Sequence, residues 1–493
     1  MTQVMIAFSN SYARLPENFY ARLSPTPVAE PHLVKFNRSL AEQLGLDPED
    51  VREKAAAYFS GNLIPEGAEP IAMAYAGHQF GGFVPQLGDG RAILLGEIRD
   101  RQGIRRDVQL KGSGPTPFSR RGDGRAALGP VLREYLVSEA MHALGIPTTR
   151  ALAVVTTGEK VYREQGALPG AVLTRIASSH IRVGTFEYLA ARGDVESVRR
   201  LADYVIERHD PDVRKSERPY LALLDAVIGR QAGLVAKWLH VGFIHGVMNT
   251  DNTAVSGETI DFGPCAFMDT YDPASVFSSI DHSGRYAFAN QPRIAQWNLA
   301  RFAETLVPLL DDNETKAVAL ASEAIARFPS QFETHWLGGM RRKIGLHTAE
   351  AGDLELINRF LDAMHKNAAD YTLTFRRLCD AAADGDQDVQ AGELFADPGV
   401  YRDWAVAWRA RLAREPVASL ERKNAMCGVN PAFIPRNHHV ENALEAAVDR
   451  SDFGPFEELF TVLGRPYEDQ EERAYYGEKP PNSEGIYRTF CGT

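Results

Sequence analysis

The spacing of apolar residues divides the chain into a β-rich part and a longer helical part. Residues 92–98 are almost continuously apolar, DRQG at 100–103 reads as a turn, and Val108 and Leu110 then alternate with Gln109 and Lys111. That period of two predicts paired strands, with Lys111 on the face opposite Val108 and Leu110. Further strands are predicted near 151–156, 160–163 and 171–176. Between them, 131–144 reads as a helix opened by Pro130 and closed by Gly145 and Pro147. Proline suits a first turn whose N–H groups lack intrahelical partners, and glycine suits the left-handed stop. From about residue 186 the spacing is helical, and the longest predicted helix, 220–239, aligns Leu223, Val227, Leu234 and Trp238 in one stripe. Helices follow at 294–310, 316–327, 354–367 and 371–382. Before residue 70, Pro16, Pro25, Pro27 and Pro31 punctuate an irregular stretch with a helix expected at 32–44.

Composition narrows the class. A chain of 493 residues is expected to divide into about two to four domains. With 44% hydrophobic and 24% charged residues it is neither a disordered nor a coiled-coil sequence. The net charge of −11 argues against binding to nucleic acid through phosphate contacts. Cys265, Cys379, Cys427 and Cys491 form no CxxC pair, which disfavours a zinc ribbon or a disulfide scaffold. No apolar run is long enough to span a membrane, and MTQVMIAFSNSYARL does not read as a secretory signal. A soluble cytoplasmic protein is expected.

The chemistry concentrates between residues 77 and 263. Gly77, Gly81, Gly82, Gly88 and Gly90 mark backbone that turns sharply or approaches a ligand closely. The segment 245–263, HGVMNTDNTAVSGETIDFG, follows the long helix. Short strands at 253–255 and 258–260, joined by Ser256-Gly257, would form a hairpin that brings Asn252 beside Asp261. An amide oxygen and a carboxylate so placed suit Mg²⁺, which shares its octahedron with waters and phosphates; Mn²⁺ accepts the same donors. Upstream, a strand lysine (Lys111) precedes a helix glutamate (Glu134), the pairing that holds nucleotide phosphates in protein kinases. Each alone reads as a solvated charge or a surface pair of at most about 1 kcal/mol; together with the glycine turn and the Asn/DFG segment they read as a nucleotide site. Two features depart from a kinase. Val247 occupies the position of the catalytic base, leaving Asp251 as the loop's carboxylate, and arginines are in excess: Arg91, Arg120, Arg121, Arg125, Arg175 and Arg182. Arginines near a phosphate site clamp a polyphosphate in a chosen orientation.

Residues 75–92 (YAGHQFGGFVPQLGDGRA), 110–126 (LKGSGPTPFSRRGDGRA), 245–252 (HGVMNTDN), 261–269 (DFGPCAFMD) and 430–444 (NPAFIPRNHHVENAL) carry a resemblance to a known family. The chain resembles, over essentially its whole length, the selenoprotein O (YdiU-like) pseudokinases that act as protein adenylyltransferases. The resemblance implies an α+β, protein-kinase-like bilobal fold: an extension at 1–74, a β-rich lobe at 75–165, a helical lobe at 166–330 and a helical C-terminal region at 331–493. It implies ATP bound in inverted orientation, with AMP transferred to Ser, Thr or Tyr hydroxyls of proteins and pyrophosphate released. Gly88, Gly90 and Arg91 would form the nucleotide turn. Lys111, Asp123 and Gly124 would meet the phosphates and nucleoside, with Glu134 orienting Lys111. Arg175 and Arg182 would bind the inner phosphates, Asn252 and Asp261 would hold Mg²⁺, and Asp251 would accept the hydroxyl proton. It also makes Cys491 a candidate redox group toward thiol partners, with a disulfide to Cys265 as a gate. The alternatives are an ordinary phosphotransferase and a catalytically dead nucleotide-binding scaffold.

Two other signals are set aside. Asp384, Asp386 and Asp388 begin like a calcium loop but Val389 and Phe395 occupy required glycine and glutamate positions. His438, His439 and Glu441 read as structural, since adjacent histidines diverge on a helix.

Overall fold

Val108 and Leu110 face one way and Gln109 and Lys111 the other, and each side of the sheet they build has its own cover. A computed structural model describes residues 6–164, 166–480 and 488–489. Ten strands lie in the first part: β1 (Tyr20–Arg22), β2 (His32–Phe36), β3 (Ile71–Met73), β4 (Gly77–Gln79), β5 (Gly82–Val84), β6 (Ala92–Arg99), β7 (Arg105–Lys111), β8 (Ala126–Ala127), β9 (Arg150–Arg163) and β10 (Gly166–Ala177). Eight of them form an antiparallel sheet of order β1-β3-β6-β7-β10-β9-β2, with β8 pairing onto β10, while β4 and β5 form a separate hairpin. On one face Val108, Leu110, Leu152, Val155 and Val172 pack against α1 (Arg38–Gln43) and α2 (Pro48–Ser60). On the other, Ala171, Leu173 and Val154 pack against α3 (Leu128–Ala143), which is backed by Val440, Leu444, Phe456 and Leu459 from two C-terminal helices.

The remainder is helical. α4 (Val183–Ala190), α5 (Val195–His209), α6 (Pro219–His240) and α7 (Gln291–Leu310) share the largest apolar core with the helices Phe328–Lys343, Asp353–Lys366, Tyr371–Ala383 and Pro398–Leu412. The fold is thus mixed α and β with an antiparallel sheet. The helix expected at 32–44 is instead strand β2, paired with β9, followed by the short α1. Asn37 causes the break: its side chain accepts from the Leu40 N–H and caps α1, so the helix begins there. The strands expected at 151–156 and 160–163 are one continuous strand. The boundaries expected at 74/75 and 165/166 both cut this sheet, because β1–β3 precede the first and the paired β9 and β10 flank the second.

Arg436 ties the C-terminal region to the rest. Its side chain is fully buried and donates to Asp269 (2.6 Å), Asp370 (2.8 Å) and the Gly477 carbonyl (2.8 Å). Removing one member of a buried ion pair strands the others and costs about 3–5 kcal/mol. Arg436→Ala is expected to lower the urea unfolding midpoint clearly; an unchanged midpoint would contradict this account of the anchor.

Candidate active site

The sheet's second face, the β4–β5 hairpin and the loop after α6 enclose a cleft of about 590 Å³, the size of a small-molecule site. Gly88, Gly90, Arg91, Lys111, Asp123, Gly124, Arg175, Arg182, Asp251, Asn252 and Asp261 all line it. Glu134, the remaining expected residue, stands behind Lys111.

Antiparallel pairing of β7 with β10 sets Lys111 opposite Leu173 and Gln109 opposite Arg175. Both cations then reach Glu134 on α3: Lys111 Nζ lies 2.5 Å from one carboxylate oxygen, and Arg175 donates Nε (2.8 Å) and Nη2 to the other. Burial pushes the Glu134 carboxyl up, but Arg175 and Lys111 outweigh it and hold the group below the usual carboxylate range. The chain continues inward: Arg175 donates to Gln109 (3.3 Å), which donates to buried Asp89 (3.2 Å), and Arg182 lies 3.7 Å from Asp89 with its guanidinium 4.4 Å from the Tyr75 ring centre. The buried floor of the cleft is therefore cationic and hydrogen-bonding.

The opposite wall is the loop between β11 (Phe243–Ile244) and β12 (Ala266–Phe267), two short strands that pair and close its base. Inside it the expected hairpin does not form. Ala254 bridges to Arg182, Thr259 bridges to Thr148, and 253–255 and 259 take their backbone partners from residues 181–183 and 147–149. The predicted meeting still occurs, with Asn252 Nδ2 3.2 Å from Asp261 Oδ2. Asp261 has φ +69°, a left-handed backbone that non-glycine residues adopt chiefly where surrounding structure enforces it. Its carboxyl is raised by burial, but Lys111, Arg175 and Arg91 together hold it well below the usual range, and Lys111 Nζ is 3.9 Å away. Asp251 goes the other way. Burial lifts it to about 6 against the pull of Arg182 and a hydrogen bond from Gln79 (3.2 Å). Its Oδ1 has no hydrogen-bond partner, an uncommon state for a buried oxygen. Val247 lines the cleft as an apolar wall.

Among the described residues no group of three or more His, Cys, Asp and Glu is placed to hold a metal ion. Ionised Asp261 with the amide of Asn252 nevertheless fits a hard divalent cation that takes its other ligands from water and phosphate. These residues fit such an ion; they do not fit a closed protein cage.

Two glycines are required by close approach. A side chain at Gly88 (φ +80°) would sit 2.4 Å from the Phe118 ring, and one at Gly124 (φ +67°) 2.1 Å from the Gly114 carbonyl carbon. Asp123 lines the outer cleft, already paired with Arg163 (2.8 and 3.1 Å) and the Arg125 N–H. Arg125 is turned to the Thr26 and Pro27 carbonyls, so its guanidinium braces the N-terminal segment. Sequence reasoning passed over Asp89, Tyr75, Gln79 and Asn249, all on the cleft wall; the signal for Asp89 was an acid between the two glycines of LGDG.

Cys265 is buried, its Sγ donates to the Phe262 carbonyl (3.3 Å), and burial pushes its thiol up to about 12. Cys491 lies outside the described residues; the nearby Thr489 bonds the Pro264 carbonyl (2.5 Å) and the Phe277 carbonyl. Asp388 pairs with Arg409 and Tyr401, His439 contacts the Tyr475 carbonyl, and Glu441 pairs with Arg133, so both set-aside clusters are structural. No helix among the described residues is long and apolar enough to cross a membrane.

Comparison with known proteins shows which family the chain belongs to. The family model described as protein adenylyltransferase SelO matches residues 2–464. The chain is 65% identical over 486 residues to the protein nucleotidyltransferase YdiU of Rhizobium meliloti (strain 1021), covering 99% of both chains. It is 64% identical over 486 residues to that of Rhizobium leguminosarum bv. trifolii (strain WSM2304), covering 99% of this chain and 97% of the relative. A relative of the same name from Bradyrhizobium sp. (strain ORS 278) is 64% identical over 491 residues, covering 99% of this chain and all of the relative. With a family match across most of its length and relatives this similar end to end, the chain belongs to the SelO family of protein adenylyltransferases.

Proposed function

We propose that this chain transfers AMP from ATP to Ser, Thr or Tyr hydroxyls of proteins, with the nucleotide inverted so that its γ-phosphate lies on the buried floor. The observation that carries this reading is the chemistry of that floor: Arg175 and Arg182 are buried there and Lys111 is only 14% exposed, where an adenine pocket would be apolar. The adenosine then lies toward the outer wall formed by Phe118, Gly122 and Gly124. The antiparallel sheet carrying Lys111, with α3 carrying Glu134 and a helical remainder, supports a kinase-like pair of lobes whose division falls after β10.

Asp251 accepts the proton of the acceptor hydroxyl as its oxygen bonds to the α-phosphorus. The bond from that phosphorus to the bridging oxygen breaks, and pyrophosphate leaves. Its growing charge meets Arg175, Arg182 and Lys111, already fixed by Glu134 and Asp89, so little reorganisation is needed as the reaction proceeds. Asn252 and Asp261 hold a divalent cation, Mg²⁺ or Mn²⁺, which supplies charge neutralisation and a template for the phosphates. Val247 cannot act as a base; Asp251 replaces it for a phosphorus atom displaced from its position in a kinase.

Three outcomes test the reading. With protein acceptors, label from α-labelled ATP is expected on protein and label from γ-labelled ATP is not; γ-label alone would mean a phosphotransferase, and neither label a scaffold. The active form of Asp251 is the carboxylate, so kcat/KM should rise with pH through about 6 and level off above it. Asp251→Asn should lose about 10²–10⁴ of the rate together with that limb. A wild-type profile flat across this range would remove Asp251 as the base. Asp261→Ala should abolish transfer and also the gain in thermal stability that divalent cation adds to nucleotide-bound protein. Full activity in that variant would overturn the metal assignment.

A further inference from the structure

The hairpin β4–β5 is bolted to the catalytic loop from outside. His78 N–H donates to Thr250 Oγ1 (2.7 Å) and Gln79 Nε2 to Asp251 (3.2 Å). A side chain at Gly77 would come within 2.5 Å of Asp251 Oδ1, so the strand lies directly on the base. His78 is itself held by Glu187 (2.5 Å), which also accepts from Thr250.

The tip of this hairpin is unusual. Phe80 (φ +51°) and Gly81 (φ +88°) are the two central residues of the turn between paired Gln79 and Gly82, a turn that needs positive φ at both and usually takes Asn, Asp or Gly. The Phe80 N–H is satisfied by Asn249 Oδ1 (3.1 Å) and the Tyr286 hydroxyl (3.2 Å), and Tyr286 also donates to Asn249 (2.6 Å). Asn249 and Tyr286 thus hold this turn in place, and the Phe80 ring lies 5.1 Å from that of Tyr286, yet the residue remains 36% exposed. Ile280 is also exposed, whereas Phe83 packs on His78 with ring centres 4.9 Å apart. Phe80 and Ile280 line the same cleft as Asp251, so the apolar surface is continuous with the place where the acceptor hydroxyl must sit. A turn position that usually takes Asn, Asp or Gly here carries a large apolar side chain, and that side chain stands at the cleft that holds Asp251.

We infer that Phe80, with Ile280, is the docking platform for the acceptor protein, and that it selects segments carrying an apolar or aromatic residue close in sequence to the hydroxyl that receives AMP. The inference rests on the adenylyl-transfer reading and specifies its acceptor. Gln79 touches the base and Phe80 follows it directly, so the platform meets acceptor residues flanking the modified one, while the nucleotide lies on the other side of Asp251.

The test uses the full-length protein, Mg²⁺, α-labelled ATP and a peptide library in which the residues flanking Ser, Thr or Tyr are varied. Wild type is expected to favour apolar and aromatic flanks. Phe80→Ala should raise KM for the favoured peptides about tenfold, as expected for loss of a partly buried ring contact. It should also flatten the preference, with ATP affinity by calorimetry unchanged. Phe80→Leu, which keeps apolar bulk, should recover most of the preference. Absence of α-label on every peptide and on the enzyme itself would overturn the adenylyl-transfer reading and this inference with it. Label present with the same flank preference in wild type and Phe80→Ala would overturn the docking platform alone.

Discussion

A single carboxylate, Glu134, holds two cations from neighbouring strands, and the geometry of the cleft depends on it. Lys111 and Arg175 come from β7 and β10, whose register places them on one face of the sheet. Buried side by side without an anion they would repel each other, and both would lose hydration. With Glu134 between them they are charged, close and fixed before any nucleotide arrives. That arrangement explains why α3 packs on this face, why Gln109 rather than an apolar residue sits in the middle of β7, and why Asp89 is tolerated in the interior.

The same field separates two aspartates ten residues apart in the sequence. Asp261 faces Lys111, Arg175 and Arg91 and stays ionised, as the proposed metal ligand would have to be. Asp251 is buried with Arg182 as its main opposing charge, and its carboxyl lies near the pH at which a base works best. In the proposed reaction, one ionised carboxylate and one poised carboxylate, set apart by environment rather than by residue type, would divide the roles of ligand and base. The stiffness of the loop that carries them comes from the β11–β12 pair beneath it and from β4 above it.

Much of this was legible in the sequence because local rules sufficed. Alternation along 107–111 placed Lys111 on the correct face, and Pro130 and Gly145 bracketed the helix that carries Glu134. What was not legible depended on partners distant in the chain. Residues 253–255 and 258–260 have the composition of a hairpin, but their backbone groups pair with 181–183 and 147–149, and no local pattern announces those neighbours. The 32–44 stretch has helical spacing, and only the pairing of its first residues with β9 and the cap at Asn37 make it a strand followed by a short helix. Asp89 was hidden by its own flanking glycines, which drew attention to the turn rather than to the acid within it. Phe80 could not be found from sequence, because its place at the cleft depends on Asn249 and Tyr286, which are distant in the chain.

The central claim is the direction of the nucleotide. A crystal structure of the protein with a non-hydrolysable ATP analogue and Mg²⁺ addresses it directly. The account predicts the γ-phosphate against Arg175 and Arg182 on the buried floor, with the α-phosphorus nearest Asp251 and the adenine toward Phe118. An adenine ring on the floor beside Tyr75 and Arg182, with the γ-phosphate facing Asp251, would contradict it.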